Sequence, residues 1–221
     1  MCSEVADLRK AAIILILLII IGGVAVVLYR MNEISQNTFD TGGRYDPSVL
    51  DYMGVIYTNR SDIRSFNEAY SESTNCPWGF IHNGIDYFYF NNSDVIAAAP
   101  GLVEKIDLHD WGPEAQHRYT ISVEIRFNAT VYLLYNFEPW TNSTDEQAQQ
   151  VEMFNIEVGS WVAKGDVIAK FLHAGEGAHI HFGVYQDGEA RDPTLYLSTD
   201  GYNELLGMIN EFHPTWKISY P

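Results

Sequence analysis

Hydrophobic and polar positions divide the chain into stretches of different character. Ala12 to Tyr29 contains no charged residue. At about 1.5 Å per residue it would form a helix of roughly 27 Å, close to the hydrocarbon thickness of a bilayer. A secretory signal has a shorter apolar core, about 7–15 residues, and a small-residue cleavage site after it. Here Val-Val-Leu-Tyr-Arg follows. The expectation is an uncleaved transmembrane signal anchor over 11–30, with 1–10 as a short cytoplasmic tail. Residues 31–75 are polar and mixed, broken by Thr-Gly-Gly and Asp-Pro, and read as a stalk and lead-in with some helix around Asp62 to Tyr70.

From Trp78 onward, short runs rich in Val, Ile, Tyr and Phe alternate with Gly, Asn, Asp and Pro, the pattern of successive strands. Strands are expected over Asp86–Phe90, Val95–Ala99, Leu102–Leu108, Tyr119–Phe127, Thr130–Phe137, Val167–Leu172 and Ala178–Gln186. In Thr120-Ile-Ser-Val-Glu-Ile-Arg-Phe every second residue is apolar, as in a half-buried strand. No helical period separates these runs, so the domain over 76–200 is predicted to be mainly β with an antiparallel sheet. The polar stretch 138–155 reads as an inserted surface loop with a helical turn. In the C-terminal extension, 201–221, Leu205, Leu206, Ile209 and Phe212 have helical spacing suited to packing back on the sheet.

Charge and sequons refine this picture. The net charge of −16 argues against a nucleic-acid partner and against docking on an anionic membrane surface. Basic residues flank the apolar block almost equally, so the positive-inside bias does not orient it. Four Asn-x-Ser/Thr sequons, at Asn59, Asn91, Asn128 and Asn142, all follow the block. They favour a single-pass glycoprotein in the cell membrane with its C-terminal domain extracytoplasmic. The two cysteines, Cys2 and Cys76, lie on opposite sides of the expected membrane, so no disulfide framework is indicated.

Two clusters could carry chemistry. His179-Ile-His181 falls within a strand run, which puts both imidazoles on one face. On a buried face such a pair calls for a metal or hydrogen-bond partners. His82-Asn-Gly-Ile-Asp86 places His and Asp on either side of a turn that leads into a strand. Zinc accepts His nitrogen and Asp oxygen, and a catalytic site has three protein ligands with one position open to water. Two His and one Asp from these clusters would suffice.

Further blocks stand in order around these two: Ala98-Ala-Pro-Gly-Leu-Val103, Val158-Gly-Ser-Trp-Val-Ala-Lys-Gly-Asp-Val-Ile-Ala169, Gly177-Ala-His-Ile-His-Phe-Gly-Val184 and Asp192-Pro193. Together, from about Trp78 to Leu197, the chain resembles the M23 (lysostaphin-like) zinc metallopeptidases. The resemblance implies an antiparallel β-sheet core of that type, Zn2+ held by His82, Asp86 and His181, and His179 as a catalytic histidine beside the zinc-bound water. It also implies a metalloendopeptidase acting on a peptide or cell-envelope polymer. One element departs from the family pattern. A further active-site histidine is expected in a Tyr-x-His-Leu strand, but Thr130-Val-Tyr-Leu-Leu-Tyr-Asn-Phe-Glu-Pro139 has none. Tyr135 as a donor to the developing oxyanion, or Glu138 as general base, are the candidates to compensate. The alternative is a catalytically impaired module that binds a cell-envelope partner. His109 and His117 flank Trp111-Gly-Pro in a loop from which either could reach the site, although loop histidines are usually just solvated.

Overall fold

The structure, a computed structural model, describes residues 20–26 and 39–221. Residues 20–26 are helical; the rest of the anchor expected over 11–30 lies outside the described residues, as does the tail over 1–10. Among the described residues no helix is long and apolar enough to cross a membrane. The chain divides into two compact units, Met1–Asp40 and Thr41–Pro221, and the second carries the β domain.

The strands are β1 (Ile63–Ser65), β2 (Tyr70–Ser71), β3 (Ile85–Tyr89), β4 (Asp94–Ile96), β5 (Gly101–Asp110), β6 (Tyr119–Arg126), β7 (Val131–Thr141), β8 (Trp161–Val162), β9 (Val167–Lys170), β10 (His179–Gln186), β11 (Glu189–Arg191) and β12 (Ser219–Tyr220). Two helices, α1 (Thr144–Glu152) and α2 (Thr199–Phe212), complete the unit. An eight-stranded sheet runs β1-β3-β10-β7-β6-β5-β8, with β11 also on β10. Its pairings are antiparallel. The predicted mainly β, antiparallel architecture is therefore present. Two small sheets, antiparallel β4-β9 and parallel β12-β2, flank it.

Period-two alternation gives the large sheet one apolar face. Ile121, Val123 and Ile125 of β6, Leu133, Tyr135 and Phe137 of β7, and Ile180, Phe182 and Val184 of β10 are buried there. Each such side chain stabilises the fold by about 1.5–3 kcal/mol through removal from water. The residues between them, Asn136 and Glu138 on β7 and His179 and His181 on β10, face the other side. That second face carries the polar chemistry.

Several elements differ from the sequence expectation. Residues 41–75 belong to the compact unit, with Met53, Ile56, Ile63, Phe66 and Ala69 buried in its core. The helix expected around Asp62 to Tyr70 is instead a 3-10 turn, Arg60–Asp62, followed by β1 and β2. The recurrence of Ile63, Phe66 and Ala69 suggests a helix, yet β1 gains more by pairing with β3 at the sheet edge. In the stretch read as a loop over 138–155, β7 continues to Thr141 and α1 follows, capped by the Ser143 hydroxyl accepting from Glu146 N–H. Two buried glutamines pin α1. Gln147 Nε2 donates to the carbonyls of His109 and Thr120, and Gln150 bridges Lys170 O and Leu172 N. The C-terminal segment forms a helix, α2, with Leu205, Met208 and Ile209 buried, and it meets the lead-in: Gly201 abuts Met53 O, and Glu204 pairs with Arg60.

Candidate metal centre

Strand register brings the two clusters together. His181 of β10 lies directly opposite Asp86 of β3 on one side and Asn136 of β7 on the other. His179, two residues earlier on the same face, lies opposite Glu138 and stacks on Phe88 with ring centroids 5.0 Å apart. His82 enters from the turn before β3. Its backbone pairs reciprocally with Ser71, at 2.8 and 3.0 Å, and the Ser71 hydroxyl accepts from Trp78 Nε1 at 3.1 Å. The lead-in therefore holds His82 in place.

Three ligand atoms converge. His82 Nε2 lies 3.0 Å from His181 Nδ1 and 3.2 Å from Asp86 Oδ1, and His181 Nδ1 lies 2.9 Å from Asp86 Oδ1. Among the described residues this trio is the only group of three His, Cys, Asp or Glu side chains so arranged. Zinc with ligands at about 2.0–2.1 Å in tetrahedral geometry places them roughly 3.3–3.4 Å apart, only slightly wider than this triangle. The donor set fits the ion in a second respect. His82 Nδ1 is 2.8 Å from the carbonyl of Ala69, an acceptor that would keep a ring proton on Nδ1 and free the Nε2 lone pair for a bound ion. The structure thus brings these three side chains together as a group that could hold a metal ion, with His82 and Asp86 buried and His181 half-buried.

Around the trio lies a ring of charge. Full burial works against ionised Asp86, yet the His179 charge and hydrogen bonds from His181 and His82 hold its carboxyl well below the usual range. His82 and His179 are pushed up despite burial by the carboxylates beside them, Asp86 for both and Glu138 for His179. Glu68, whose carbonyl accepts from Asp86 N–H at 3.0 Å, has its own carboxyl pushed up to about 7 by burial and by Asp86. No local pattern in the sequence marks Glu68, because only the pairing of the lead-in against β3 brings it to the site.

The other sequence candidates separate. Glu138 is brought to the site: its Oε2 is 3.7 Å from His179 Nε2. Burial pushes its carboxyl up, but the hydrogen bond from His117 and the His179 charge outweigh that and lower it. Tyr135 is not brought there. It points to the opposite, apolar face, fully buried, and its hydroxyl oxygen accepts from Ala98 N–H at 2.8 Å. The structure instead supplies His117, from the loop between β5 and β6, with Nε2 3.0 Å from Glu138 Oε2. That loop is closed by two hydrogen bonds from Arg118 to Asp110, at 2.5 and 2.7 Å, and by Arg118 N–H on Thr141 O at 2.9 Å. His109, in contrast, lies on β5 rather than in the loop, with Nε2 3.0 Å from Ser122 Oγ.

Trp140 forms the wall beside these groups. It adopts a left-handed backbone conformation, φ 63°, uncommon for a bulky residue and characteristic of functional sites. Its ring stacks on His117 with centroids 4.0 Å apart and lies against Gly177, where any Cβ would collide with it. No local pattern in the sequence announces its partnership with His117.

The model of peptidase family M23 matches residues 80–193, just over half of the chain. Among solved structures, Helicobacter pylori Csd3 is 23% identical with a TM-score of 0.45 and covers 67% of this chain and 35% of its own. Lysostaphin from Staphylococcus simulans is 18% identical, with a TM-score of 0.43 and coverage of 68% and 56%. A zinc-containing peptidase from Vibrio cholerae is 17% identical, with a TM-score of 0.41 and coverage of 65% and 39%. The chain therefore spans about a third to a half of the length of these proteins. No curated protein matches it significantly.

Proposed function

The chain belongs to peptidase family M23, and from that footing we propose that it is a membrane-anchored, extracytoplasmic zinc metalloendopeptidase that hydrolyses peptide bonds of a cell-surface or cell-wall substrate. The observation that carries this reading is the triangle of His82 Nε2, Asp86 Oδ1 and His181 Nδ1, with edges of 2.9–3.2 Å. Bound there, zinc supplies an acidified water and a Lewis acid for the scissile carbonyl.

The chain's own residues handle protons and position the substrate. His179 Nδ1 is 2.7 Å from Gly177 O, which holds the ring proton on that nitrogen and turns Nε2 toward the centre. From there Nε2 can take a proton and return it to the leaving amine. Glu138 Oε2 is the second acceptor within reach of the same imidazole. Beyond the site, the stacked rings of Tyr132 and Tyr185, 5.0 Å apart and 5° from parallel, flank Gly183 on the open face and offer an extended peptide a flat support.

The anchor rests on the uncharged stretch from Ala12 to Tyr29. The outward orientation draws support from the sequons: Asn59, Asn91 and Asn142 are exposed, whereas Asn128 Nδ2 is engaged with Pro47 O at 2.7 Å. The test is hydrolysis of a peptide panel, glycine-rich cross-link peptides included, by the zinc-loaded full chain in detergent beside His179→Ala. Turnover should fall by about 100-fold or more in the variant with zinc retained. A variant as active as the wild type, or a zinc-loaded wild type that cleaves none of the panel, contradicts the proposal.

A further inference from the structure

On the open face of β7 the residues run Tyr132, Leu134, Asn136, Glu138, Trp140, and the carboxylate among them is held unusually firmly. Asn136 Nδ2 donates to Glu138 Oε1 at 2.6 Å, and Asn136 is itself fixed by the Ser122 hydroxyl at 2.9 Å. The other oxygen, Oε2, lies between two imidazoles, 3.0 Å from His117 Nε2 and 3.7 Å from His179 Nε2. A carboxylate with both oxygens assigned in this way has one orientation rather than several.

Three unfavourable features converge on the ring that completes this arrangement. His117 Nδ1 is buried and has no hydrogen-bond partner, a state that costs free energy and is rare in folded proteins. Its stacking partner, Trp140, is held in the left-handed region. The pair His117–Glu138 is largely removed from water, with side chains 29% and 12% exposed, and an apolar pair of similar volume would serve stability at least as well there. Fold stability alone does not account for this set. With no acceptor for Nδ1, the ring proton belongs on Nε2, where Glu138 accepts it.

We propose that His117 is a positioning residue: from the loop between β5 and β6 it fixes Glu138 beside His179, so that a loop–strand pair supplies the second proton-handling group of the site. The inference deepens the peptidase reading and rests on it for its catalytic consequence. The pairing itself stands independently of any substrate.

The first arm of the test is spectroscopic and needs neither metal nor substrate. In the metal-stripped full chain labelled with 15N-histidine, long-range 1H–15N spectra, assigned with His117→Gln, should show His117 as a fixed Nε2–H tautomer. Glu138→Ala should convert it to the averaged pattern of a free imidazole. An averaged pattern already in the wild type, or no change in Glu138→Ala, overturns the proposal. The second arm is kinetic. In the zinc-loaded chain His117→Ala should lower kcat roughly tenfold or more, a part of the effect of a positioned acid–base group, with KM within about twofold and zinc content unchanged. His117→Gln, whose amide N–H can reach Glu138, should recover part of the loss. A His117→Ala chain with wild-type kcat and full zinc overturns the proposal. If the zinc-loaded wild type cleaves nothing, the peptidase reading fails alone, and the spectra still decide the pairing.

Discussion

Replacing Gly84 by alanine should loosen the metal centre from behind. Gly84 lies between His82 and Asp86, and a Cβ there would sit 2.6 Å from each of three atoms: Cε1 and Nε2 of His181, and the carbonyl oxygen of Phe182. Ordinary contact begins near 3.4 Å, so each atom would have to retreat by about 0.8 Å. Phe182 has little freedom to do so, because it is paired with Ile85 on one side and Tyr135 on the other. The strain falls instead on the His181 imidazole and on the turn that carries His82. Overpacking of this kind costs about 1–3 kcal/mol, which in a domain of this size lowers Tm by roughly 3–10 °C. The effect on the metal should be larger in proportion. Metal–ligand distances tolerate about 0.2 Å, and the required displacement is about four times that. Zinc affinity should therefore weaken by about 10- to 100-fold. Thermal unfolding of the metal-free chain and zinc competition against a chelator measure the two effects separately. A Gly84→Ala chain with wild-type Tm and wild-type zinc affinity would refute the steric argument.

Two further predictions concern residues outside the ligand set. Tyr135→Phe leaves the Ala98 N–H unpaired in the core, so stability should fall by about 1–3 kcal/mol while turnover per bound zinc stays unchanged; a collapse of turnover would return Tyr135 to the chemistry. The Glu204 carboxyl is held below its ordinary value chiefly by hydrogen bonding to Arg60. A depressed carboxyl contributes stability above its unfolded pKa, about 4.3, and that contribution fades as pH falls through the folded value. Glu204→Gln should accordingly lower the urea midpoint slightly at pH 7 and converge with the wild type once the pH is low enough to protonate the folded carboxyl; an equal difference under both conditions would contradict the linkage.

How much was legible depends on whether the determining contact is local or tertiary. The strands β6, β7 and β10 were readable because one face is apolar, and alternation is then a direct image of burial. The same period decides the fate of Tyr135. Odd positions on β7 face the core, so a one-residue offset separates Tyr135, buried with its hydroxyl spent on Ala98, from Asn136 and Glu138 on the open face. The two clusters, His82 with Asp86 and His179 with His181, were legible because their spacings are local, four residues across a turn and two along a strand; which of the paired histidines would be a ligand came only from the resemblance to M23 peptidases. His117 was visible only as a loop histidine among others. Its position depends on Arg118, which ties the loop to Asp110 and to the end of β7, and no periodicity encodes that. Nor did α1 show itself clearly, since it is held by the amides of Gln147 and Gln150 rather than by an apolar stripe.

The central claim is that His82, Asp86 and His181 form one zinc site, and metal content tests it most directly. The purified full chain, equilibrated with zinc and freed of excess, should carry about one zinc per chain, and His181→Ala and Asp86→Asn chains prepared alongside should carry little or none. A wild-type chain that takes up no zinc even from excess metal, or variants that retain a full equivalent, would contradict the account.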